Sequence, residues 1–121
     1  MAKIVFCEDS TLIQKMIQVA LRSTPHEIHF AADGVEGLAI IERERPDLIF
    51  SDVGMPEMDG FQLTDAVKAR SHLAHIPIVF LTAQSDQAGT VESYPGVAGH
   101  LLKPFSPEDL RAKIVEYCGG A

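Results

Sequence analysis

Apolar residues fall along this chain in short bursts, separated by stretches where they recur every three or four positions. Lys3–Cys7 (KIVFC) is a β-branched apolar run and predicts a strand. Ser10 is a cap candidate, and after it Ile13, Met16, Ile17, Ala20 and Leu21 return at helical spacing until Thr24-Pro25 breaks the pattern. Glu27–Ala31 reads as a second strand, polar enough to lie at a sheet edge. Asp33-Gly34 marks a turn, and a second helix follows with Val35, Leu38 and Ile41 inward, ending near Arg45-Pro46. A third strand is expected over 47–51 and a third helix over 61–70, the latter opened by Asp59-Gly60. Residues 76–81 are continuously apolar, as in a strand buried on both faces, and Thr82 ends them.

The segment 84–94 takes the place of a fourth helix, yet Gly89, Thr90 and Val91 favour helix poorly and Pro95-Gly96 stops it. It is expected to be short or mobile, and to become ordered in an activated form. Gly99–Leu102 predicts a fifth strand ending at Lys103-Pro104. Ser106-Pro107-Glu108-Asp109 opens the last helix with a capping Ser, a Pro in the first turn and two acids near the positive end of the helix dipole. Leu110, Ile114 and Val115 are its expected inner face, and Gly119-Gly120 ends it. Five strands alternating with five helices predict an α/β fold, a doubly wound five-stranded parallel sheet with helices on both faces.

Length and charge narrow the function. At 121 residues the expectation is one domain spanning 1–121. A formal net charge of −7 argues against direct nucleic-acid binding, which needs a basic surface to neutralise phosphates. No apolar run approaches the roughly 18–20 residues of a membrane span, and with the first strand beginning at Lys3 no signal peptide is expected. Cys7 and Cys118 are too few for a disulfide scaffold, so a reducing, cytoplasmic location is expected. His26, His29, His72 and His75 fit no metal-ligand pattern with cysteine and read as surface or loop residues.

The chemistry lies at the strands' carboxyl ends, where open parallel sheets bind ligands. Glu8-Asp9 follow the first strand, Asp52 the third, Thr82 the fourth and Lys103 the fifth. If these strands are neighbours, the five groups meet. Three carboxylates together repel unless a cation joins them. Hard oxygen ligands with few protein donors suit Mg²⁺ beside a phosphate. A lysine and a threonine hydroxyl opposite offer a phosphoryl group one positive charge and one donor. The Asp52 carboxylate can itself serve as a nucleophile and form an aspartyl phosphate.

Taken as a set, Glu8-Asp9, the loop Asp52…Met55-Pro56…Met58-Asp59-Gly60, Thr82-Ala83 and Lys103-Pro104-Phe105 resemble the receiver domains of bacterial response regulators, of the chemotaxis-regulator kind. The likeness covers essentially residues 3–117. It implies the strand order 2-1-3-4-5. It implies that Asp52 is phosphorylated by a histidine kinase or a histidine phosphotransfer protein, and that the domain is a phosphoacceptor rather than an enzyme, assisting its own phosphorylation and dephosphorylation. Asp9, Asp52 and the Gly54 carbonyl would hold Mg²⁺, with Glu8 acting through a bound water. Lys103 would bridge Asp52 and the phosphoryl oxygens, Thr82 would turn to bond the phosphate, and His100 would stand at the rotamer-switch position usually held by Tyr or Phe. A cis Lys103-Pro104 bond is implied as well. The fourth helix, fifth strand and fifth helix would form the face that binds a downstream protein; the resemblance leaves a homodimer through that face on phosphorylation open.

Three departures stand out. The acidic pair is Glu-Asp where the family more often has Asp-Asp. Gly54 and Gln84 occupy the two positions that tune dephosphorylation, and Gly54 has no side chain with which to shield or orient water. The fourth-helix segment is a poor helix former. Two other readings compete. A phosphatase of the haloacid-dehalogenase type also uses an aspartyl phosphate, but its second Asp follows the nucleophile by two residues, where this chain has Gly54. A degenerate receiver acting only as a binding module is opposed by the complete acidic set.

Overall fold

A computed structural model of the chain describes residues 1–83 and 93–119. Its elements run β1 (Lys3–Cys7), α1 (Thr11–Leu21), β2 (Glu27–Ala31), α2 (Gly34–Glu44), β3 (Leu48–Asp52), α3 (Gly60–Lys68), β4 (Ile78–Thr82), β5 (Gly99–Leu102) and α4 (Pro107–Cys118). All strand pairs are parallel and the sheet order is β2-β1-β3-β4-β5. That is the order the resemblance implies, with β2 at an edge. Most of the segment expected as a fourth helix, 84–94, lies outside the described residues, as does the expectation that it is short or mobile. None of the described helices is long and apolar enough to cross a membrane.

Two apolar layers sandwich the sheet. Phe6 and Phe50 stack on one face at 4.8 Å between centroids, against Leu21, Leu81, Leu110 and Ile114. On the other, Val5, Ile49, Ile78 and Phe80 pack with Ile41, Leu63 and Val67. Helix starts follow local chemistry. Ser10, Asp33, Asp59 and Ser106 each accept a backbone N–H of their own first turn, and Asp59 and Ser106 complete reciprocal boxes with Gln62 and Asp109.

Several boundaries and faces differ from the sequence expectation. Strand β3 includes Asp52, and β4 starts only at Ile78, because Pro77 has no N–H for the ladder and Ile76 closes a turn onto Leu73. Met16, Val35 and Val115 are exposed rather than inward. In α1 the buried line runs through Ile17, Ala20 and Leu21, and Met16 lies about 100° round the helix from Ile17. In α2 the buried line runs through Gly34, Gly37 and Ile41, with Gly37 against the sheet and Gly34 against the loop before α3. A side chain at Gly34 would strike the Met58 carbonyl and one at Gly37 the Cys7 sulfur, so the helix lies close and Val35 turns out. In α4, Leu110 and Ile114 are buried, with Tyr117 and Cys118 against the same layer, and Val115 is rotated away. His29 lies half-buried in the expected second strand; it pairs with Glu27 at 2.6 Å and approaches Glu44 at 3.7 Å. Lys3 and Arg43 already balance those two acids at 3.2 and 2.8 Å from Glu44, so the cluster is an ion-pair network at the foot of the sheet.

Candidate functional site

Parallel register brings the strand ends level. Cys7 pairs with Ser51, Asp52 with Leu81, and Thr82 with Leu102. Glu8 is the next residue beyond Cys7, and Lys103 the next beyond Leu102. Glu8, Asp9 and Asp52 offer carboxylate oxygens that all lie within 4.8 Å of one another. The Lys103 ammonium bridges two of them, 2.7 Å from Glu8 Oε1 and 3.0 Å from Asp52 Oδ1. Lys103 is held there by its own backbone, which donates to the Thr82 carbonyl at 2.6 Å, and the Lys103-Pro104 bond that follows is cis.

Each acid sits differently. Glu8 is wholly buried. Its Oε2 accepts the Ser10 N–H at 3.0 Å, while Oε1 finds no hydrogen bond of good geometry and lies 2.7 Å from the Lys103 ammonium. Its backbone N–H donates to Ala31 and its carbonyl accepts the Gln14 side-chain amide at 2.6 Å. Asp9 is exposed, the outward member of the trio. Asp52 is half-buried, and burial pushes its carboxyl up from 3.8 to about 6; the Lys103 hydrogen bond opposes that rise and the Glu8 charge adds to it. For Lys103 burial disfavours the charge, but the two carboxylates outweigh it and hold the ammonium above its ordinary range.

The loop beyond Asp52 is pinned by backbone contacts. The Ser51 hydroxyl donates to the Asp52 carbonyl at 2.9 Å, and the Gly60 N–H donates to Val53 at 2.8 Å. A side chain at Gly60 would come within 2.5 Å of the Asp52 carbonyl oxygen, so α3 can begin this close only with glycine. Gly54 is exposed with open space where a side chain would stand. Thr82 is buried at the end of β4, and His100 is half-buried in β5, in register with Phe80. Gln84 lies outside the described residues. Sequence reasoning brought Glu8, Asp9, Asp52, Thr82 and Lys103 to one edge. It missed Gln14, whose only signal was a polar side chain one helical turn beyond the Ser10 cap.

A family model described as the response regulator receiver domain matches residues 4–115. The chain belongs to this family. It is therefore a receiver domain of two-component signalling, a module regulated through phosphorylation. The chain is 34% identical over 113 residues to a protein of Porphyridium aerugineum described as a probable transcriptional regulator ycf27, covering 93% of this chain and 46% of that one. It thus spans about half the length of the curated relatives it matches first. Among solved structures, the chemotaxis response regulator CheY4 of Vibrio cholerae superposes with a TM-score of 0.88 at 36% identity, over 97% of this chain and 98% of that one. The receiver domain of the sensor histidine kinase PA1611 from Pseudomonas aeruginosa, solved with a magnesium ion coordinated in its active-site cleft, gives 0.87 at 28% identity over 98% of both.

Proposed function

We propose that this receiver takes a phosphoryl group on Asp52 from the phosphohistidine of a histidine kinase or phosphotransfer protein, dependent on Mg²⁺. The observation that carries the reading is the acid trio within 4.8 Å, two of its members, Glu8 and Asp52, bridged by Lys103. A carboxylate oxygen of Asp52 attacks phosphorus, the bond from phosphorus to the histidine nitrogen breaks, and the imidazole leaves with the electron pair. The chain's share of the work is positioning and charge. Strand β3 and the Gly60 contact fix Asp52, and Lys103 lies where it can shift from carboxylate to phosphoryl oxygen.

The donor set suits a hard divalent cation. Oε1 of buried Glu8 lacks a good hydrogen bond, and the trio carries more negative charge than one lysine balances. Asp9, Asp52 and the Gly54 carbonyl would hold the ion, with Glu8 reached through water. When bound, Mg²⁺ supplies the positive charge that lets a phosphoryl group approach three acids. The magnesium in the cleft of the PA1611 receiver agrees with this.

A largely apolar groove of about 310 Å³ is lined by Leu12, Lys15, Met16, Val19 and Ala20 of α1 and by Phe105 and Pro107. It adjoins both the Asp9 turn and the Lys103-Pro104 bend in sequence, so a donor protein bringing its histidine to Asp52 has an apolar surface to rest on. Phosphorylation would shift a two-state equilibrium through Thr82 and His100, changing how a downstream protein binds the face that includes β5 and α4. Gly54 and Gln84 would set how long the signal lasts. Both cysteines are unpaired, which suits a cytoplasmic setting.

The test is intact mass after incubation with acetyl phosphate, with and without Mg²⁺, on wild type and Asp52→Asn. A phosphate adduct is expected only on wild type and only with Mg²⁺. Labelling of the Asn variant at the wild-type level would overturn the assignment. Steady turnover of a phosphomonoester would revive the phosphatase reading.

A further inference from the structure

We propose that Gln14 is a positioning residue for the acidic turn, setting the geometry in which Glu8 and Asp9 meet a Mg²⁺ ion. The inference rests on the Mg²⁺-dependent reading above. Ladder pairing of β1 stops at Cys7, and the Glu8 carbonyl comes after the last strand partner. A buried carbonyl without a partner is costly, and here the partner is the Gln14 amide, donating at 2.6 Å from the first turns of α1.

That bond has more reach than its energy suggests. The Glu8 carbonyl and the Asp9 N–H belong to one rigid peptide plane. Holding the carbonyl therefore fixes the plane, and with it the direction in which Asp9 leaves the backbone. The second anchor lies next door: the Ser10 N–H donates to Glu8 Oε2 at 3.0 Å, and Ser10 itself caps α1 through Ile13. The Gln14 backbone N–H donates to the Ser10 carbonyl at 3.0 Å, so one helical turn carries both anchors. Three like charges within 4.8 Å push outward, and the freest of them is exposed Asp9. Gln14 is the contact that resists that push on the backbone between Glu8 and Asp9. Mg²⁺ demands near-ideal octahedral geometry, whereas Ca²⁺ accepts irregular sites. Loosening the plane should therefore weaken Mg²⁺ much more than Ca²⁺.

The experiment is calorimetric titration of Mg²⁺, and separately of Ca²⁺, into wild type, Gln14→Met and Gln14→Ala, with thermal melts in EDTA alongside. Met keeps the length and removes the donor, and Ala is the second variant should Met disturb packing. The expected result is about a tenfold loss of Mg²⁺ affinity, typical for removal of a group that orients a metal ligand, with a clearly smaller loss for Ca²⁺. Unchanged Mg²⁺ affinity in both variants would overturn the positioning role alone. Equal losses for both ions, tracking a lower melting temperature, would also overturn it, because general loosening does not discriminate between ions. Failure of the wild type to bind Mg²⁺ would overturn the metal reading beneath it.

Discussion

Asp52→Asn should make the metal-free protein more stable, and only above a certain pH. In the folded chain the Asp52 carboxyl is raised from 3.8 to about 6, first by burial and then by the Glu8 charge, against the pull of Lys103. The folded state thus holds that proton more tightly than the unfolded chain does. Any contribution from this group is fully present below about pH 4 and is lost as pH rises through about 6. The full difference corresponds to about 3 kcal/mol, at about 1.4 kcal/mol per pH unit. The side chain keeps 15% of its surface exposed, and screening by water brings the expected effect to about 1–2 kcal/mol. Asparagine keeps the shape and can still accept from Lys103, but does not titrate.

The assay is urea unfolding followed by far-UV circular dichroism in EDTA, at pH 4.5, 6 and 7.5, on wild type and Asp52→Asn. The variant should gain on the wild type as pH rises, by about 1–2 kcal/mol between the first and last points. Excess Mg²⁺ at pH 7.5 should reverse the ranking, because the wild type gains binding energy that the variant has lost. A pH-independent difference, or a variant that loses ground as pH rises, would refute the argument that Asp52 is held against its charge.

Other perturbations probe neighbouring parts of the argument. Lys103→Met leaves buried Glu8 Oε1 without its cation and should lower metal-free stability by about 3 kcal/mol, with Mg²⁺ restoring more than it adds to wild type; calorimetric melts with and without Mg²⁺ check this. Gly60→Ala drives a methyl against the Asp52 carbonyl and should cost about 1–3 kcal/mol together with a slower acetyl phosphate reaction, measured by urea unfolding and labelling rate. Phe50→Ala empties the stacked layer beneath the site and should cost about 3–5 kcal/mol in urea. Glu8→Asp shortens the arm that holds Lys103 at 2.7 Å and releases the ammonium toward Asp52, so the Asp52 carboxyl should titrate below about 6; carbon-13 titration of the metal-free protein would show no downward change if the reasoning is wrong.

Much of this molecule could be read from its residues, and the limits of that reading have physical causes. Strands were legible because both faces of the inner ones are apolar, so KIVFC and the run ending in Phe80-Leu81 admit little else. Helix starts were legible because Ser10, Asp59 and Ser106 satisfy orphan N–H groups by short-range chemistry. Helix faces were less so. Val35 shares the period of Leu38, but Gly37 lets α2 lie against Cys7 of the sheet and Gly34 lets it lie against the Met58 carbonyl, and a count of apolar side chains cannot register those contacts. The five charged or hydroxyl groups of the site were legible because sheet topology sorts strand ends to one edge. Their pairing was not. Whether Lys103 meets Glu8 or Asp52, and whether Gln14 reaches a backbone carbonyl, depends on rotamers and on the bend of one turn.

The same rigidity that made the fold readable explains why its upper edge is poised. Beneath Asp52 the chain is closely packed aromatic and aliphatic matter, with Phe6, Phe50 and Phe80 fully buried. A core at that density cannot yield to let repelling carboxylates spread inward. The backbone around them is tied as well, by the Gly60 contact on one side and by the Gln14 and Ser10 bonds on the other. Above about pH 6 one ammonium faces three carboxylates, of which buried Glu8 and half-buried Asp52 are held in place and only exposed Asp9 is free to turn outward. The two held acids are relieved from outside the fold, by a proton on Asp52 or a doubly charged cation among the acids. A phosphoryl group arriving at such an edge brings further negative charge, so its acceptance has to be coupled to that cation and to the freedom of Lys103 to change partners.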